Sequence, residues 1–220
     1  MNHIDLKNKT VLVTGSAGFI GSNLVLELLK TQSPIHIIGL DNMNDYYDVS
    51  IKEWRLEEIE KCLKKHSDSS YVFYKDDLAN KAIIDHIFEE HKPDIVVNLG
   101  AQAGVRYSIS NPDAYIQSNM IGFYNILEAC RHSYDNGAKG VEHLVYASSS
   151  SVYGSNKNDN FCRIFSISIS SLDFNSAILL FISKIEIGSI NRVEPALEMS
   201  WTNPFIWERY SSFTGITNLS

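Results

Sequence analysis

The distribution of apolar residues along the chain predicts strands and helices in regular alternation. Short apolar runs at residues 11–13 and 35–40 are typical of buried strands, whereas residues 51–65 carry apolar residues at helical spacing. Three further strands are predicted at 71–75, 94–99 and 141–147, and further helices after residue 18 and at 80–90 and 111–131. Residues 100–110 are predicted to form a loop.

This alternation predicts an α/β fold with a doubly wound parallel sheet, the Rossmann fold. The nearly continuous apolar run at 94–99 agrees with a strand that helices cover on both faces. We expect the strand order 3-2-1-4-5-6, in which ligands bind at the carboxyl ends of the strands. The polar motifs of the chain follow those ends, which is where a binding site is expected.

A glycine-rich turn follows the first predicted strand and opens the first predicted helix. Gly15 allows the tight turn, Gly18 allows the backbone to approach a pyrophosphate, and Gly21 allows the helix to pack closely on the strand. Asp41 ends the second strand, 20 residues after Gly21, where an acidic side chain suits the ribose 2′-OH of NAD and repels the 2′-phosphate of NADP. The motif therefore predicts NAD as the cofactor; the alternative is a glycine-rich turn in some other α/β protein.

Composition limits the function classes further. Hydrophobic residues at 44%, charged residues at 20% and a net charge of −7 argue against a general binder of nucleic acid or anionic membranes. Three distant cysteines, Cys62, Cys130 and Cys162, lack metal-ligand spacing and suit a reducing compartment, so no metal site is expected. The first ten residues lack an apolar signal core, and no apolar run approaches ~18 residues, so the chain is expected to be cytoplasmic.

Three stretches carry a resemblance to a known family. They are D-N-M-N-D-Y-Y-D-V-S-I-K at 41–52, N-L-G-A-Q-A-G-V-R-Y-S-I-S-N-P at 98–112 and Y-A-S-S-S-S-V-Y-G at 146–154. With the glycine turn, they resemble the extended short-chain dehydrogenase/reductases, the NAD-dependent epimerases and dehydratases. Within that branch they are most similar to the UDP-glucuronate 4-epimerases, and the resemblance covers residues 10–154.

The resemblance implies a set of cofactor-binding residues. They are Gly15, Ala17, Gly18, Phe19, Ile20 and Gly21 around the pyrophosphate, Asp41, Asn42 and Asn44 at the adenosine ribose, Asp77 and Leu78 at the adenine, and Leu99, Ala101, Gln102 and Asn119 on the nicotinamide side. Asp77 has an alternative interpretation as a helix N-cap. Asn98 stands where the family usually has His.

The resemblance also implies a reaction, the conversion of UDP-glucuronate to UDP-galacturonate through a 4-keto intermediate, in an often homodimeric enzyme. Ser149 would bond the reacting oxygen, and Ser150, Ser151 and Arg106 would contact the substrate. The alternatives are a serine-rich loop at a strand end for the serines and a solvated surface charge for Arg106.

The resemblance ends at about residue 157. The family carries Tyr-x-x-x-Lys on a later helix, but residues 155–220 contain a single tyrosine, Tyr210, with Thr214 four positions later. Two formal matches occur elsewhere. Tyr153 and Lys157 are separated by Gly-Ser-Asn, which disfavours a helix, and that tyrosine already belongs to S-V-Y-G. Tyr71 and Lys75 lie on a predicted strand, where residues four apart do not meet.

We therefore expect an NAD-binding domain at 1–157 and an atypical tail at 158–220 that replaces the catalytic helix and sugar-binding domain. The tail is hypothesised to be a frameshifted or rearranged remnant. It contains one strand-like alternation at 165–169. Loss of the family's sixth strand is expected to leave the fifth strand as an unprotected edge, with poor solubility unless the tail folds back.

Three functions remain open at this point. The leading one is a UDP-glucuronate 4-epimerase by descent that is inactive as this chain. The second is a sugar-nucleotide dehydratase or decarboxylase of the same branch, which the N-D-Y-Y-D and A-G-V-R-Y-S stretches disfavour. The third is a non-catalytic NAD-binding module, which the missing Tyr-x-x-x-Lys favours.

Overall fold

A computed structural model of the chain describes residues 6–104 and 106–148 and a strand at 165–168. The strands are β1 Thr10–Thr14, β2 His36–Asp41, β3 Ser70–Lys75, β4 Ile95–Asn98, β5 His143–Tyr146 and β6 Phe165–Ser168. The helices are α1 Phe19–Thr31, α2 Val49–Leu63, α3 Lys81–His91, α4 Tyr107–Ser110, α5 Pro112–Tyr115 and α6 Phe123–His132. A π-helical segment, Ile116–Gly122, joins α5 to α6, and a 3₁₀ turn, Asp135–Gly137, precedes β5.

The strands form a single sheet in the order β3-β2-β1-β4-β5-β6. β1 to β5 pair in parallel, with Val11 opposite both Ile37 and Ile95. The strand order reverses between β1 and β4, which creates a crevice at their carboxyl ends. The predicted doubly wound parallel sheet is confirmed.

The outer edge of β5 differs from the prediction. β6 pairs with β5 in antiparallel orientation, with Tyr146 opposite Phe165 and His143 opposite Ser168. The expectation that β5 is an unprotected edge is therefore wrong, because a strand from the tail supplies its backbone partners. The predicted strand at 165–169 is confirmed over 165–168.

Two apolar layers cover the sheet, one on each face. Alternation along β1 directs Leu12 towards the α3 and α6 face, whereas Val11 and Val13 pack with residues of α1 and α2. The large side chains that are fully buried in the two layers include Leu29, Ile37, Ile59, Ile84, Ile87, Ile126, Leu127 and Leu144. Burial of each such side chain contributes about 1.5–3 kcal/mol to folding. This core holds the carboxyl ends of β1, β2 and β4 at fixed separations.

The helical segment after β4 is less regular than its sequence pattern suggests. The predicted helix at 111–131 begins with Pro112 at its first position and an Asn111 side chain that accepts a hydrogen bond from the Ala114 N–H. Its second turn is π-helical before α6 begins at Phe123. The predicted loop at 100–110 contains the four-residue helix α4 at its end, which is a difference from the expectation.

Candidate functional site

An open cleft of about 150 Å³ lies at the carboxyl ends of β1, β2, β3 and β4. The residues that line it come from five separate segments of the chain. They are Gly15, Gly18, Leu40, Asp41, Asn42, Asn44, Tyr46, Tyr47, Lys52, Asp76, Asp77, Leu78, Leu99, Gly100, Ala101, Gln102, Ala103 and Ser118. Parallel strands end on the same side of a sheet, so the turns that follow them converge here.

The glycine turn forms one wall of the cleft and requires glycine for steric reasons. Gly15 has φ +66°, and a Cβ there would lie 2.9 Å from the Gly100 N atom. A Cβ on Gly21 would collide with the Gly15 carbonyl oxygen and lie 2.9 Å from the Ser16 Cα. The turn therefore brings the start of α1 directly against β1. The first N–H groups of this 13-residue helix have no intrahelical acceptors and point to the turn.

The Asp41 carboxylate at the end of β2 is held from three sides. Its Oδ2 accepts a hydrogen bond from the Ala17 N–H (3.2 Å), and its Oδ1 accepts one from the Met43 N–H (2.9 Å). The ammonium group of Lys52, from α2, lies 3.3 Å from Oδ1. Asp41 is 8% exposed and Lys52 is 7% exposed. Buried charges of this kind are stable only when they are paired, and here each is the partner of the other.

Asn42 and Asp77 link the ends of β2 and β3. The Asn42 Nδ2 donates to Asp77 Oδ2 (2.7 Å), and the second carboxylate oxygen of Asp77 accepts from the Ala79 N–H (2.8 Å). The interpretation of Asp77 as a helix N-cap is wrong, because α3 begins at Lys81 with Asn80 at the N-cap position. Asp77 instead stabilises the turn that precedes this position.

The Thr14 hydroxyl connects β1 to the turn after β4. It donates to Asn98 Oδ1 (2.7 Å) and accepts from the N–H groups of Leu99 (3.1 Å) and Gly100 (3.0 Å). Thr14 is fully buried, and a Cβ on Gly100 would lie 2.7 Å from Leu78 Cδ1. Asn98, which stands where the family usually has His, is therefore held by the Thr14 hydroxyl in this chain.

A reciprocal amide pair holds the far wall of the cleft. The Gln102 N–H donates to Asn119 Oδ1 (2.8 Å), and Asn119 Nδ2 donates to the Gln102 carbonyl (3.0 Å). Asn119 lies in the π-helical segment, a type of distortion that is frequent at functional sites. Nearby, Asn125 Nδ2 donates to the Leu78 carbonyl (2.9 Å).

Four tyrosines bring the two most characteristic stretches of the sequence together. The ring centroids of Tyr46 and Tyr107 are 4.9 Å apart, and those of Tyr107 and Tyr115 are 6.3 Å apart. Tyr47 packs edge-on against Tyr46, at 4.7 Å. The Tyr115 hydroxyl donates to the carbonyls of Ala103 (2.9 Å) and Gly104, and desolvation together with the neighbouring phenols raises its pKa. These contacts fix the loop after β4 against the loop after β2.

The sequence-predicted site residues fall into four groups. Those that line the cleft are Gly15, Gly18, Asp41, Asn42, Asn44, Asp77, Leu78, Leu99, Ala101 and Gln102. Those that support it or lie beside it are Ala17, Phe19, Ile20, Gly21 and Asn119; Phe19 is 71% exposed, whereas Ala17 is fully buried. Arg106 is exposed at the start of α4 and is not among the described residues that line the cleft. Ser149, Ser150 and Ser151 lie outside the described residues.

Sequence reasoning missed several residues of this site. Lys52 ends the stretch D-N-M-N-D-Y-Y-D-V-S-I-K, but no pattern in the sequence indicates that it is buried against Asp41. Tyr46 and Tyr47 belong to the same stretch, and the pairing of Thr14 with Asn98 depends on the alignment of β1 with β4. Within residues 6–104 and 106–148 and β6, no cluster of three or more acidic, His or Cys residues is suited to hold a metal ion. No helix in that part of the chain is long and apolar enough to cross a bilayer.

Comparison with known proteins agrees with this geometry. A family model described as GDP-mannose 4,6 dehydratase matches residues 12–163. Protein CapI of Staphylococcus aureus is 48% identical over 151 residues, which are 69% of this chain and 41% of that protein. A UDP-glucuronate 4-epimerase of Thermodesulfobacterium geofontis is 42% identical over 142 residues, 64% of this chain and 40% of that protein.

Among solved structures, the UDP-glucose 4-epimerase of Thermus thermophilus in complex with NAD matches with a TM-score of 0.52 and 26% identity, over 81% of this chain and 51% of that one. The chain spans about two fifths of the length of the curated relatives named above. The match of the family model over more than half of the chain identifies it as a member of this family of nucleotide-sugar epimerases and dehydratases.

Proposed function

We propose that the chain binds NAD in this cleft and is the nucleotide-binding part of a UDP-glucuronate 4-epimerase. The observation that carries the proposal is the glycine turn between β1 and α1, with the carboxylate of Asp41 on the same cleft. The relative from Thermodesulfobacterium geofontis supports the substrate class by its name, and the Thermus thermophilus epimerase supports the cofactor, since its structure contains NAD.

One end of the cleft suits the pyrophosphate, the adenosine ribose and the adenine of the cofactor. Gly15 and Gly18 leave the backbone accessible, so a pyrophosphate can approach the N–H groups at the start of α1, beside Phe19, Ile20 and Gly21. At the end of β2, we propose that Asp41, Asn42 and Asn44 contact the adenosine ribose. Asp77 and Leu78 would border the adenine, because they lie between the ends of β2 and β3 and the turn after β4.

The opposite end of the cleft suits the nicotinamide and the sugar. Bound NAD would supply the chemistry of removing and returning a hydride at C4 of the sugar. Leu99, Ala101 and Gln102 would line this end, and Asn119 would hold Gln102 in position through its paired amide hydrogen bonds. We propose that Ser149 bonds the reacting oxygen and that Ser150, Ser151 and Arg106 recognise the substrate carboxylate.

We propose that this chain by itself does not complete the reaction. Residues 155–220 lack a Tyr-x-x-x-Lys sequence, so no tyrosine is available there with a lysine one helical turn later. On this proposal, residues 1–157 form the NAD-binding domain and residues 158–220 are an atypical tail. The same observation favours a second candidate function, a non-catalytic NAD-binding module.

A dehydratase or decarboxylase of the same branch is a third candidate. The description of the matching family model, GDP-mannose 4,6 dehydratase, favours it. The N-D-Y-Y-D and A-G-V-R-Y-S stretches support the epimerase instead, because they resemble the UDP-glucuronate 4-epimerases. Assay of a full-length relative for epimerised or dehydrated product separates the two.

A homodimer is the assembly that we propose. Ile116, Met120 and Tyr124 follow one another at intervals of four residues along the helical segment after β4, and all three are exposed. Exposed apolar rows of this kind are typical of subunit interfaces. Sedimentation of the Met120→Glu variant tests this, since a charge at the centre of the row should shift a dimer towards monomer. The Glu89→Lys variant, at an exposed position of α3, should not do so.

Calorimetric titration of the purified chain with NAD tests the cofactor site. Gly18 has φ −69°, which alanine can adopt, but a Cβ there would lie 3.0 Å from the Gly15 carbonyl oxygen, so the turn must shift slightly in Gly18→Ala. The new methyl group would also stand where we propose that the pyrophosphate approaches. We therefore expect at least tenfold weaker NAD binding and a loss of stability of about 1 kcal/mol. The matched control is Gly137→Ala, in the 3₁₀ turn before β5, at the opposite end of the strands from the cleft. Gly137 has φ +75°, so this variant should lose about 1 kcal/mol of stability while NAD binding persists.

Addition of UDP-glucuronate after NAD tests the rest of the proposal. A folded wild-type chain that does not bind NAD would refute the cofactor site. Formation of UDP-galacturonate would overturn the proposed inactivity while supporting the substrate. Binding of NAD without any binding of the nucleotide sugar would favour the non-catalytic module.

A further inference from the structure

Lys52 stands out because it is a buried lysine on the cofactor cleft. It reaches from the first turn of α2 to the end of β2, where its Nζ lies 3.3 Å from Asp41 Oδ1 and 3.0 Å from Asn44 Oδ1. Its side chain is 9% exposed, and that of Asp41 is 7% exposed. Lysine is rarely buried to this degree, so this contact is the reason that its charge is tolerated here.

The geometry shows that Lys52 helps to set the direction of the Asp41 carboxylate. The ammonium group and the Met43 N–H both bond Oδ1, while the Ala17 N–H bonds Oδ2. Asn44, the second acceptor of Lys52, is a residue that we propose for the ribose site. Lys52 therefore contacts two of the three proposed ribose ligands.

The electrostatics of this pair bear on the choice between NAD and NADP. An isolated carboxylate at this position repels the 2′-phosphate of NADP, whereas a lysine ammonium is a common phosphate ligand. A second cation lies nearby, because Arg55 Nη1 donates to the Ala17 carbonyl (3.2 Å) and its guanidinium is 5.9 Å from the Phe19 ring centroid. The Asp41 carboxylate is thus paired with one cation, Lys52, and a second, Arg55, contacts the same glycine turn whose Ala17 N–H bonds Asp41.

We propose that Lys52 is a specificity-determining residue that acts through Asp41. The Asp41 carboxylate occupies Lys52, and Lys52 orients this carboxylate towards the ribose hydroxyls. When the charge of Asp41 is removed, Lys52 becomes a ligand for the 2′-phosphate, so the same cleft accepts NADP. This inference rests on the proposed NAD site.

The test compares the dissociation constants of NAD and NADP, by calorimetry, for the full chain and four variants. In Asp41→Asn, we expect NAD to bind at least tenfold more weakly and NADP at least tenfold more tightly than in the wild type. In the double variant Asp41→Asn/Lys52→Met, the gain for NADP should be lost by at least tenfold. Lys52→Met alone should weaken NAD binding without a gain for NADP.

The matched control is Lys61→Met, the same substitution on the same helix at a side chain that is 58% exposed and pairs with Glu58 at 2.8 Å. Its affinities for both cofactors should equal those of the wild type. If the double variant is unfolded at the titration temperature, Asp41→Asn/Lys52→Gln replaces it, since glutamine keeps a polar group near Asn44 without the charge.

The inference is overturned if Asp41→Asn and Asp41→Asn/Lys52→Met bind NADP with equal affinity, because removal of the repulsion by Asp41 would then explain the whole gain. Unchanged preference for NAD in Asp41→Asn would overturn it as well. A wild-type chain that is folded but binds neither cofactor would refute the proposed NAD site itself, which is a different result.

Discussion

The Thr14 hydroxyl provides the sharpest test of how the site is held together. It is fully buried and takes part in three hydrogen bonds, to Asn98 Oδ1 and from the N–H groups of Leu99 and Gly100. Substitution of Thr14 by Val preserves the shape of the side chain but removes all three. The Leu99 N–H retains the Thr14 carbonyl oxygen at 3.3 Å, so two polar groups lose their partner.

The expected cost follows from those two groups. A buried donor or acceptor that is left without a partner costs about 1–3 kcal/mol. The additional buried methyl group offsets about 0.8 kcal/mol of that loss. We therefore expect Thr14→Val to lower the free energy of unfolding by about 1–5 kcal/mol, which corresponds to a decrease in Tm of about 2–20 °C for a domain of this size.

Urea unfolding followed by far-UV circular dichroism measures this change. The matched control is Thr31→Val on α1, whose exposed hydroxyl donates to the Glu27 carbonyl (2.8 Å) and whose loss should change stability by less than about 0.5 kcal/mol. Thr14→Ser keeps the hydroxyl and should recover most of the stability. A Thr14→Val variant as stable as the wild type, or a Thr14→Ser variant as unstable as Thr14→Val, would refute the reasoning.

Three further substitutions test other parts of the structure. In Gly21→Ala the new methyl group meets backbone atoms of the turn that cannot move away. We therefore expect urea unfolding to show a net loss of stability of about 1–2 kcal/mol, despite a gain of about 1 kcal/mol in helix propensity. The exposed Glu27→Ala control should instead become more stable, and a similar rise in Gly21→Ala would contradict the close packing of α1. In Gly104→Ala, φ +97° and the nearby Tyr46 hydroxyl should lower Tm and change the near-UV spectrum of the tyrosines, and an unchanged spectrum would argue against the contact between the two loops. Burial raises the pKa of Tyr71 to about 12 from the usual 10, so its contribution to stability is complete below pH 10 and is lost as the pH rises towards 12. Between pH 10 and 12, ionisation of Tyr71 should lower the free energy of unfolding of the wild type by roughly 1.4 kcal/mol per pH unit, and Tyr71→Phe should lack this contribution. Parallel pH profiles of the two proteins would exclude this effect.

Local sequence patterns were sufficient for the first five strands and their order. Buried strands such as β1 and β4 have apolar residues on both faces, and the helices between them have apolar residues at a period of 3.6, so both types of element are visible in short windows of the sequence. The glycine turn and Asp41 were visible for a similar reason. They occupy fixed positions relative to a strand end, and parallel strands bring their ends to one edge of the sheet.

Only the tertiary structure decided which side chains complete the site. The sequence pattern does not distinguish Lys52 from the other charged residues of a surface helix, because its burial depends on how closely α2 packs beside the end of β2. The link between Thr14 and Asn98, 84 residues apart, depends on the register of β1 against β4, and the covered edge of β5 depends on a strand from the tail. Periodicity describes the faces of single elements, whereas hydrogen bonds and ion pairs between distant segments arise only when those elements pack together.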